Sequence, residues 1–255
     1  MANPLIPGIS FQVNTLSGGS LTTGLISYWN LQGNSIDLYG PNNGTDTSIS
    51  YGTTYGKVGQ GALFGAASKI DAGAPSSMNF GTGSVSLAAW VKSTSTAQSG
   101  FVTKRSNGGS GPEMGFAGGA IQYNYADGLG TNGVFTTQSK QVNDGAWHFV
   151  VAVWNRAGSV LQLYTDGVTD GSTALSTTTG TDTAHLIIGY GYYMTGNLNG
   201  DIDEVGVWSK ALSANEITDL YNGGVGQTMA GNIVDTVSAV DYAPNYILQG
   251  PYETV

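Results

Sequence analysis

The run Trp147-His148-Phe149-Val150-Val151-Ala152-Val153-Trp154 constrains this chain more than any other stretch. Successive side chains of an extended segment point to opposite faces. Trp147, Phe149, Val151 and Val153 therefore share one face, and Val150, Ala152 and Trp154 share the other. A strand that is apolar on both faces has no solvent side and belongs inside a sheet. After the turn Asn155-Arg156-Ala157-Gly158-Ser159, the run from Val160 to Thr165 leads into Asp166-Gly167, a tight-turn pair, which predicts a hairpin followed by a second turn. Similar runs recur at Ser84 to Lys92, Gly100 to Lys104, Ala120 to Tyr125, Leu186 to Tyr190 and Asp201 to Trp208, between Gly-rich or Thr-rich loops. Many short strands separated by turns predict an all-β fold, a two-sheet antiparallel sandwich.

Composition agrees, because 40 Gly and 14 Tyr with only 10% charged residues suit strands and turns better than helices. A chain of 255 residues is long enough for one large all-β domain with an ample core. Three zones are expected: an N-terminal arm over 1–23, a strand-rich body over 24–224 and a C-terminal extension over 225–255. Both flanks mix Pro, Gly and scattered apolar residues without a period, as extended arms do. One short helix is predicted near the end of the body. Ser213 and Glu216 form a capping box, Leu212 and Ile217 a hydrophobic staple, and Gly223 is placed to supply the left-handed closing residue.

Several function classes drop out. With no cysteine there is no disulfide scaffold, thiolate metal site or cysteine nucleophile. The formal net charge is -9, and the Lys and Arg residues are scattered singly from Lys57 to Lys210, so no nucleic-acid partner is expected. No run approaches the roughly 18–20 apolar residues of a membrane helix, so no membrane insertion is expected. The N-terminus lacks Lys and Arg and is interrupted by Pro4 and Pro7, unlike a secretory signal. The glycine clusters Gly108-Gly109-Ser110-Gly111 and Gly115 to Gly119 lack the lysine of a phosphate loop and read as mobile loops.

Five segments carry a family resemblance: Asp144-Gly145-Ala146-Trp147-His148-Phe149-Val150, Leu163-Tyr164-Thr165-Asp166-Gly167, Ile187-Ile188-Gly189, Gly200-Asp201-Ile202-Asp203-Glu204-Val205 and Ala211-Leu212-Ser213-Ala214-Asn215-Glu216-Ile217. In order and approximate spacing they resemble the laminin G-like members of the concanavalin A-like superfamily. Gly24-Leu25-Ile26-Ser27-Tyr28-Trp29 and Asn42-Asn43-Gly44-Thr45 look like that family's opening strand and following loop. The resemblance implies a jelly roll with one concave and one convex sheet, in modules that bind glycans or proteins and sometimes carry calcium. Its calcium candidates here are Asp37, Asn43 and Asp203. The family's aromatic-Asp pair after the opening Tyr-Trp is replaced by Asn30-Leu31-Gln32, a departure at any inherited metal site.

Some superfamily relatives hydrolyse β-glucans with glutamates spaced E-x-D-x-x-E. The nearest match is Asp201-Ile202-Asp203-Glu204-Val205-Gly206, which lacks both glutamates, whereas retaining hydrolysis needs a paired nucleophile and acid. Asp201 and Asp203 read instead as anchors of the strand end. A hydrolytic triad needs a histidine beside a hydroxyl and an acid. His148 sits inside the apolar strand as a structural residue, and His185 begins a strand beside Thr183 with no motif around it. No catalysis is expected.

Glycan binding needs an aromatic platform for the apolar face of a sugar and amides or carboxylates for its hydroxyls. Tyr123, Asn124 and Tyr125, then Tyr190, Tyr192, Tyr193 and Asn197, offer those groups, although Tyr is also a favoured strand residue that packs across strands. Two functions follow. The first is a structural or decorating protein of a large assembly such as a bacteriophage virion. Its sandwich faces outward and its arms grip neighbouring subunits in a homo-oligomer, because a module usually found outside cells begins here at Met1 without an export signal. The alternative is an extracellular carbohydrate-binding or adhesion module excised from a secreted or cell-surface protein.

Overall fold

A computed structural model of the chain describes residues 21–105, 111–126, 132–174, 183–194 and 196–229. Residues 1–20 and 230–255, which make up most of both expected arms, lie outside the described residues, as do Gly108 to Ser110 and the side chain of Tyr125.

Two antiparallel sheets share one core. The first runs in the order β13 (Val168–Ala174), β12 (Val160–Thr165), β11 (Trp147–Asn155), β6 (Val85–Ser93), β17 (Gly200–Trp208), β4 (Gly61–Phe64) and β3 (Ser50–Gly52). Strand β1 (Leu25–Trp29) pairs with the later part of β17, while β4 pairs with its start. The second sheet runs β10 (Asn132–Gln141), β9 (Ala120–Ala126), β8 (Gly111–Ala117), β7 (Ser99–Lys104), β14 (Leu186–Ile188), β5 (Lys69–Asp71) and β2 (Thr45–Thr47). A small hairpin of β15 (Tyr190–Gly191) and β16 (Gly196–Asn197) stands apart from both ladders. The two-sheet antiparallel sandwich expected from the strand pattern is present, as is the jelly roll that the resemblance implies, with helix α1 (Ala214–Tyr221) following the last strand.

The doubly apolar run becomes β11, flanked by β6 and β12. Val150, Ala152 and Trp154 join the core between the sheets, together with Trp29, Phe64 and Phe101. Phe149, Val151 and Val153 join a second cluster on the outer face of the first sheet, where Leu212, Ile217 and Leu220 cover them from the helix side. Fully burying a side chain of this kind contributes about 1.5–3 kcal/mol, so this second cluster holds the helix to the sheet. Leu21 and Met229, on the flank side of the expected zone boundaries, belong to the same cluster.

The capping box is formed: Ser213 Oγ accepts Glu216 N–H and Glu216 Oε2 accepts Ser213 N–H at 2.8 Å. The left-handed residue that closes the helix is Asn222 (φ 49°), with Gly223 (φ 59°) following it, so the closing position falls one residue earlier than predicted. Asn enters this region at low cost because its short side chain can bond locally. Asp166 (φ 53°) and Gly167 (φ 78°) both have positive φ, as the two central residues of a type I′ turn must.

The glycine-rich stretch around Gly115 is not a loop. Gly111–Ala117 is an interior strand of the second sheet, and Gly118 and Gly119 make its hairpin turn at φ 60° and 87°. Glycine occurs inside this strand because another piece of backbone must approach it, as described below. Among the described residues, no helix is long and apolar enough to cross a membrane.

Candidate functional site

Met114 and Phe116 of β8 face the core, which puts Glu113 and Gly115 on the outer face of the second sheet. Gly115 lies opposite Gly100 of β7. A Cβ on Gly100 would lie 2.7 Å from Gly191 Cα, and one on Gly115 would lie 2.1 Å from Ser99 O and 2.6 Å from Met194 Sδ. The glycine pair is thus a notch in the sheet surface, and the β15–β16 hairpin sits in it. Thr103 Oγ1 donates to Tyr190 O at 2.7 Å and fastens one end of the hairpin.

The other fastening is Glu113, whose side chain is fully buried. Its carboxylate accepts the backbone N–H of Tyr193 at 3.2 and 3.1 Å and that of Met194 at 3.1 Å. Burial pushes this carboxyl above its ordinary pKa, and the N–H donors and the nearby Arg105 pull it partly back. The Arg105 guanidinium lies 5.1 Å from the Tyr193 ring centroid. Held in this way, Tyr192 and Tyr193 are 39% and 46% exposed. Tyr190 and Tyr192 meet edge to face, with centroids 5.3 Å apart and an interplanar angle of 83°.

Tyr190, Tyr192 and Asn197 line an open cleft of about 420 Å3 with Ala66, Ala67, Lys69 and Ile187. Small-molecule sites commonly fall between about 300 and 1,000 Å3, so one or two sugar rings fit. Asn197 Nδ2 donates to Ser68 O at 2.8 Å, which ties the hairpin to the preceding loop and leaves Oδ1 as the amide's acceptor. Three of the seven sequence-predicted sugar contacts therefore converge on one cleft, and Tyr193 lies next to it on the same turn.

The earlier tyrosine cluster is corrected at Tyr123 and Asn124. Tyr123 is 1% exposed and packs in the inter-sheet core against Trp154, with ring centroids 6.3 Å apart. Asn124 is fully buried in the same strand. Tyr is as well suited to a strand interior as to a platform, and the alternation of β9 points Tyr123 inward. For Tyr125 only the strand position is described.

The calcium candidates are also corrected, because their oxygens already serve the backbone. Asp37 Oδ1 accepts the N–H groups of Tyr28, Tyr39 and Gly40 at 2.9–3.1 Å, and Oδ2 accepts that of Asn42 at 3.1 Å. Asn43 Oδ1 accepts Asp37 N–H at 2.9 Å. Asp203 is engaged elsewhere, accepting the N–H groups of Lys57 and Val58 at 2.8 Å and of Glu204 at 2.9 Å. Calcium wants six to eight oxygens directed at one point, and these three side chains are turn and loop organisers instead. The donor set does not fit the ion.

Asp201 forms a 2.7 Å ion pair with Lys92, so both aspartates of the glucanase-like stretch have structural partners. His148 is buried between Asp166 (Nδ1, 2.9 Å) and Asp144 (Nε2, 3.1 Å). His185, which has no motif around it in the sequence, finds its partner 114 residues away. Its Nδ1 lies 2.7 Å from Asp71 Oδ1, and the two line a second cleft of about 380 Å3 with Asn43, Thr45, Thr47 and Lys69.

The family profile of the laminin G type, described as the concanavalin A-like lectin/glucanases superfamily, matches residues 64–218. The chain belongs to this superfamily. Among solved structures, this laminin G-type module is similar to the binding domain of Paraclostridial Mosquitocidal Protein 1, with TM-score 0.66 and 17% identity over 79% of this chain and 52% of that one. It is also similar to botulinum neurotoxin type C, whose cell entry depends on interaction with two ganglioside molecules, with TM-score 0.65 and 12% identity over 83% and 54% of the two chains. A third is the binding domain of botulinum neurotoxin DC in complex with rat synaptotagmin II, with TM-score 0.61 and 13% identity over 78% and 51%. The chain spans about half the length of these structures. The likeness is one of fold. No curated protein matches the sequence.

Proposed function

We propose that this laminin G-type module is a non-catalytic carbohydrate-binding or adhesion module that works outside the cell, with the tyrosine cleft as its site. The observation that carries the reading is the Tyr190–Tyr192 corner, seated on the glycine notch and fixed by Glu113, opening into a sugar-sized cleft beside Asn197. An exposed ring offers its face to the C–H side of a pyranose, and the amide of Asn197 and the ammonium of Lys69 serve its hydroxyls. Rigid placement lowers the ordering cost of binding, which matters for a weak, shallow contact. Family membership supports the reading, and the structures of similar fold include a neurotoxin whose cell entry depends on interaction with two ganglioside molecules and a binding domain in complex with rat synaptotagmin II.

An assembly or virion role depends on the arms, and these lie almost wholly outside the described residues. The adhesion reading stands on described geometry. A glycan array probed with the wild type and with Tyr192→Ala tests it. Binding to a defined set of sugars that falls at least tenfold in the variant is expected, and a silent wild-type array overturns the proposal.

A further inference from the structure

Of the eight cationic side chains, seven are tied in. Lys92, Lys140 and Lys210 form close ion pairs, and Lys104 donates to Ala184 O. Lys57, Arg105 and Arg156 lie over aromatic rings. Lys69 is held more loosely, since its ion pair with Asp71 is at 4.0 Å while its side chain is 42% exposed. In a chain of net charge -9, this loosely held ammonium lines both the tyrosine cleft and the His185 cleft.

The two clefts also share a floor. Ile70 faces the core, so Lys69 and Asp71 face outward from β5. Across the ladder Thr47 lies opposite Lys69 and Thr45 opposite Asp71, and on the other side Ile187 lies opposite Asp71. One outward surface therefore runs from the threonines of β2 over Lys69 and Asp71 to Ile187, where the tyrosine cleft begins. Its far end offers hydroxyls and an imidazole–carboxylate pair, groups that bond sugar hydroxyls.

We infer that the two clefts act as one groove for an acidic oligosaccharide, with a carboxylate- or sulfate-bearing sugar at Lys69, a neighbouring ring on the tyrosines and the next against Thr45, Asp71 and His185. This rests on the carbohydrate reading and adds to it both the charge of the ligand and its length. An exposed ion pair of this kind is screened by salt, so the preference for acid is largest at low ionic strength.

The test is calorimetry with neutral, carboxylated and sulfated versions of the same oligosaccharide, lactose against sialyllactose and sulfolactose among them. The wild type is expected to bind the acidic forms at least fivefold more tightly at low salt. Lys69→Gln brings that ratio below twofold, and Lys69→Arg retains it. His185→Ala weakens binding of a tetrasaccharide at least threefold more than that of a disaccharide. Equal wild-type affinity for acidic and neutral forms, or a ratio indifferent to Lys69→Gln, overturns this inference and leaves the carbohydrate reading standing. Loss at His185 that is the same for both lengths overturns the single groove. No binding of any of these sugars or of any array glycan overturns both.

Discussion

The carboxylate of Glu113 accepts the backbone N–H of Tyr193 through both of its oxygens, at 3.2 and 3.1 Å, across 80 positions of sequence. A buried acid on a central strand thereby sets the direction of an exposed aromatic turn. Replacing it leaves the N–H groups of Tyr193 and Met194 unpaired where water is excluded, at a cost of about 1–3 kcal/mol for each buried group left unsatisfied. Glu113→Ala is expected to lower the denaturation midpoint and to increase amide exchange at 191–194 more than elsewhere. Unchanged exchange in that turn would remove Glu113 from the account.

Gly115→Ala tests the notch. Its added methyl would meet Ser99 O and Met194 Sδ well inside contact distance, so the hairpin has to lift or the strand has to shift. Overpacking of this kind costs about 1–3 kcal/mol. Thermal unfolding should show that loss together with weaker glycan binding. Gly118→Ala is the contrast, because a Cβ there meets nothing within 4 Å and the strain is confined to its positive φ.

How much of this is legible in the sequence depends on the range of the interaction concerned. Strands β11 and β17 and the capped helix are local patterns: alternation, a turn pair and a four-residue box carry them. Strand β8 is hidden because Gly111, Pro112 and Gly115 read as loop residues, and the reason for Gly115 is a hairpin some 80 residues later in the chain. The site divides in the same way. Tyr192 and Tyr123 are the same residue type, and only the pairing of sheets decides that one lies in the open and the other in the core. Glu113, the notch and the Asp71–His185 pair all depend on contacts between distant segments, for which a single sequence carries no local signal.

His148 and Asp166 give a pH dependence with two limbs. The Asp166 hydrogen bond raises the His148 pKa above the ordinary histidine value, with burial opposing and Asp144 assisting. A raised histidine adds stability below its unfolded pKa of about 6.5, and that stability is lost as pH rises through the folded value. Burial pushes Asp166 up, but hydrogen bonds from His148, Lys140 and Phe149 N–H outweigh it and bring the carboxyl to about 2. Its contribution is therefore present above about pH 4 and is lost as pH falls toward 2. The pair should contribute most between about pH 4 and 6.5. Tm measured against pH is expected to decline above that window in the wild type and to flatten there in His148→Gln. Parallel curves would contradict the assignment.

The bulge in β17 makes a second pH-sensitive element. The register shifts between Asp203 and Gly206, and Glu204 adopts φ 52°, which points its side chain to Tyr28 Oη. Tyr28 Oη in turn donates to Thr228 Oγ1 and accepts Met229 N–H, tying residues 228–229 to the body. Burial and the neighbouring Asp203 push Glu204 up to about 9, with the Tyr28 hydrogen bond opposing. Burial also raises Asp203, to about 7, with the N–H groups of Val58, Lys57 and Glu204 opposing, so between about pH 7 and 9 Asp203 holds the charge of the pair and Glu204 the proton. A raised carboxyl loses its stabilising contribution as pH rises through the folded pKa. Urea midpoints are expected to fall as pH rises from about 4.5 to 9 in the wild type, and the part of the fall between about pH 7 and 9 is expected to be lost in Glu204→Gln. An equal fall in both would rule out this pair as the source.

The central claim is that sugar binds at the tyrosine cleft, and amide chemical-shift mapping with a glycan selected from the array tests it most directly. The account predicts saturable shifts clustered at 66–69 and 187–197, abolished by Tyr192→Ala with the rest of the spectrum unchanged. Saturable shifts clustered on another face, undisturbed by Tyr192→Ala, would contradict it.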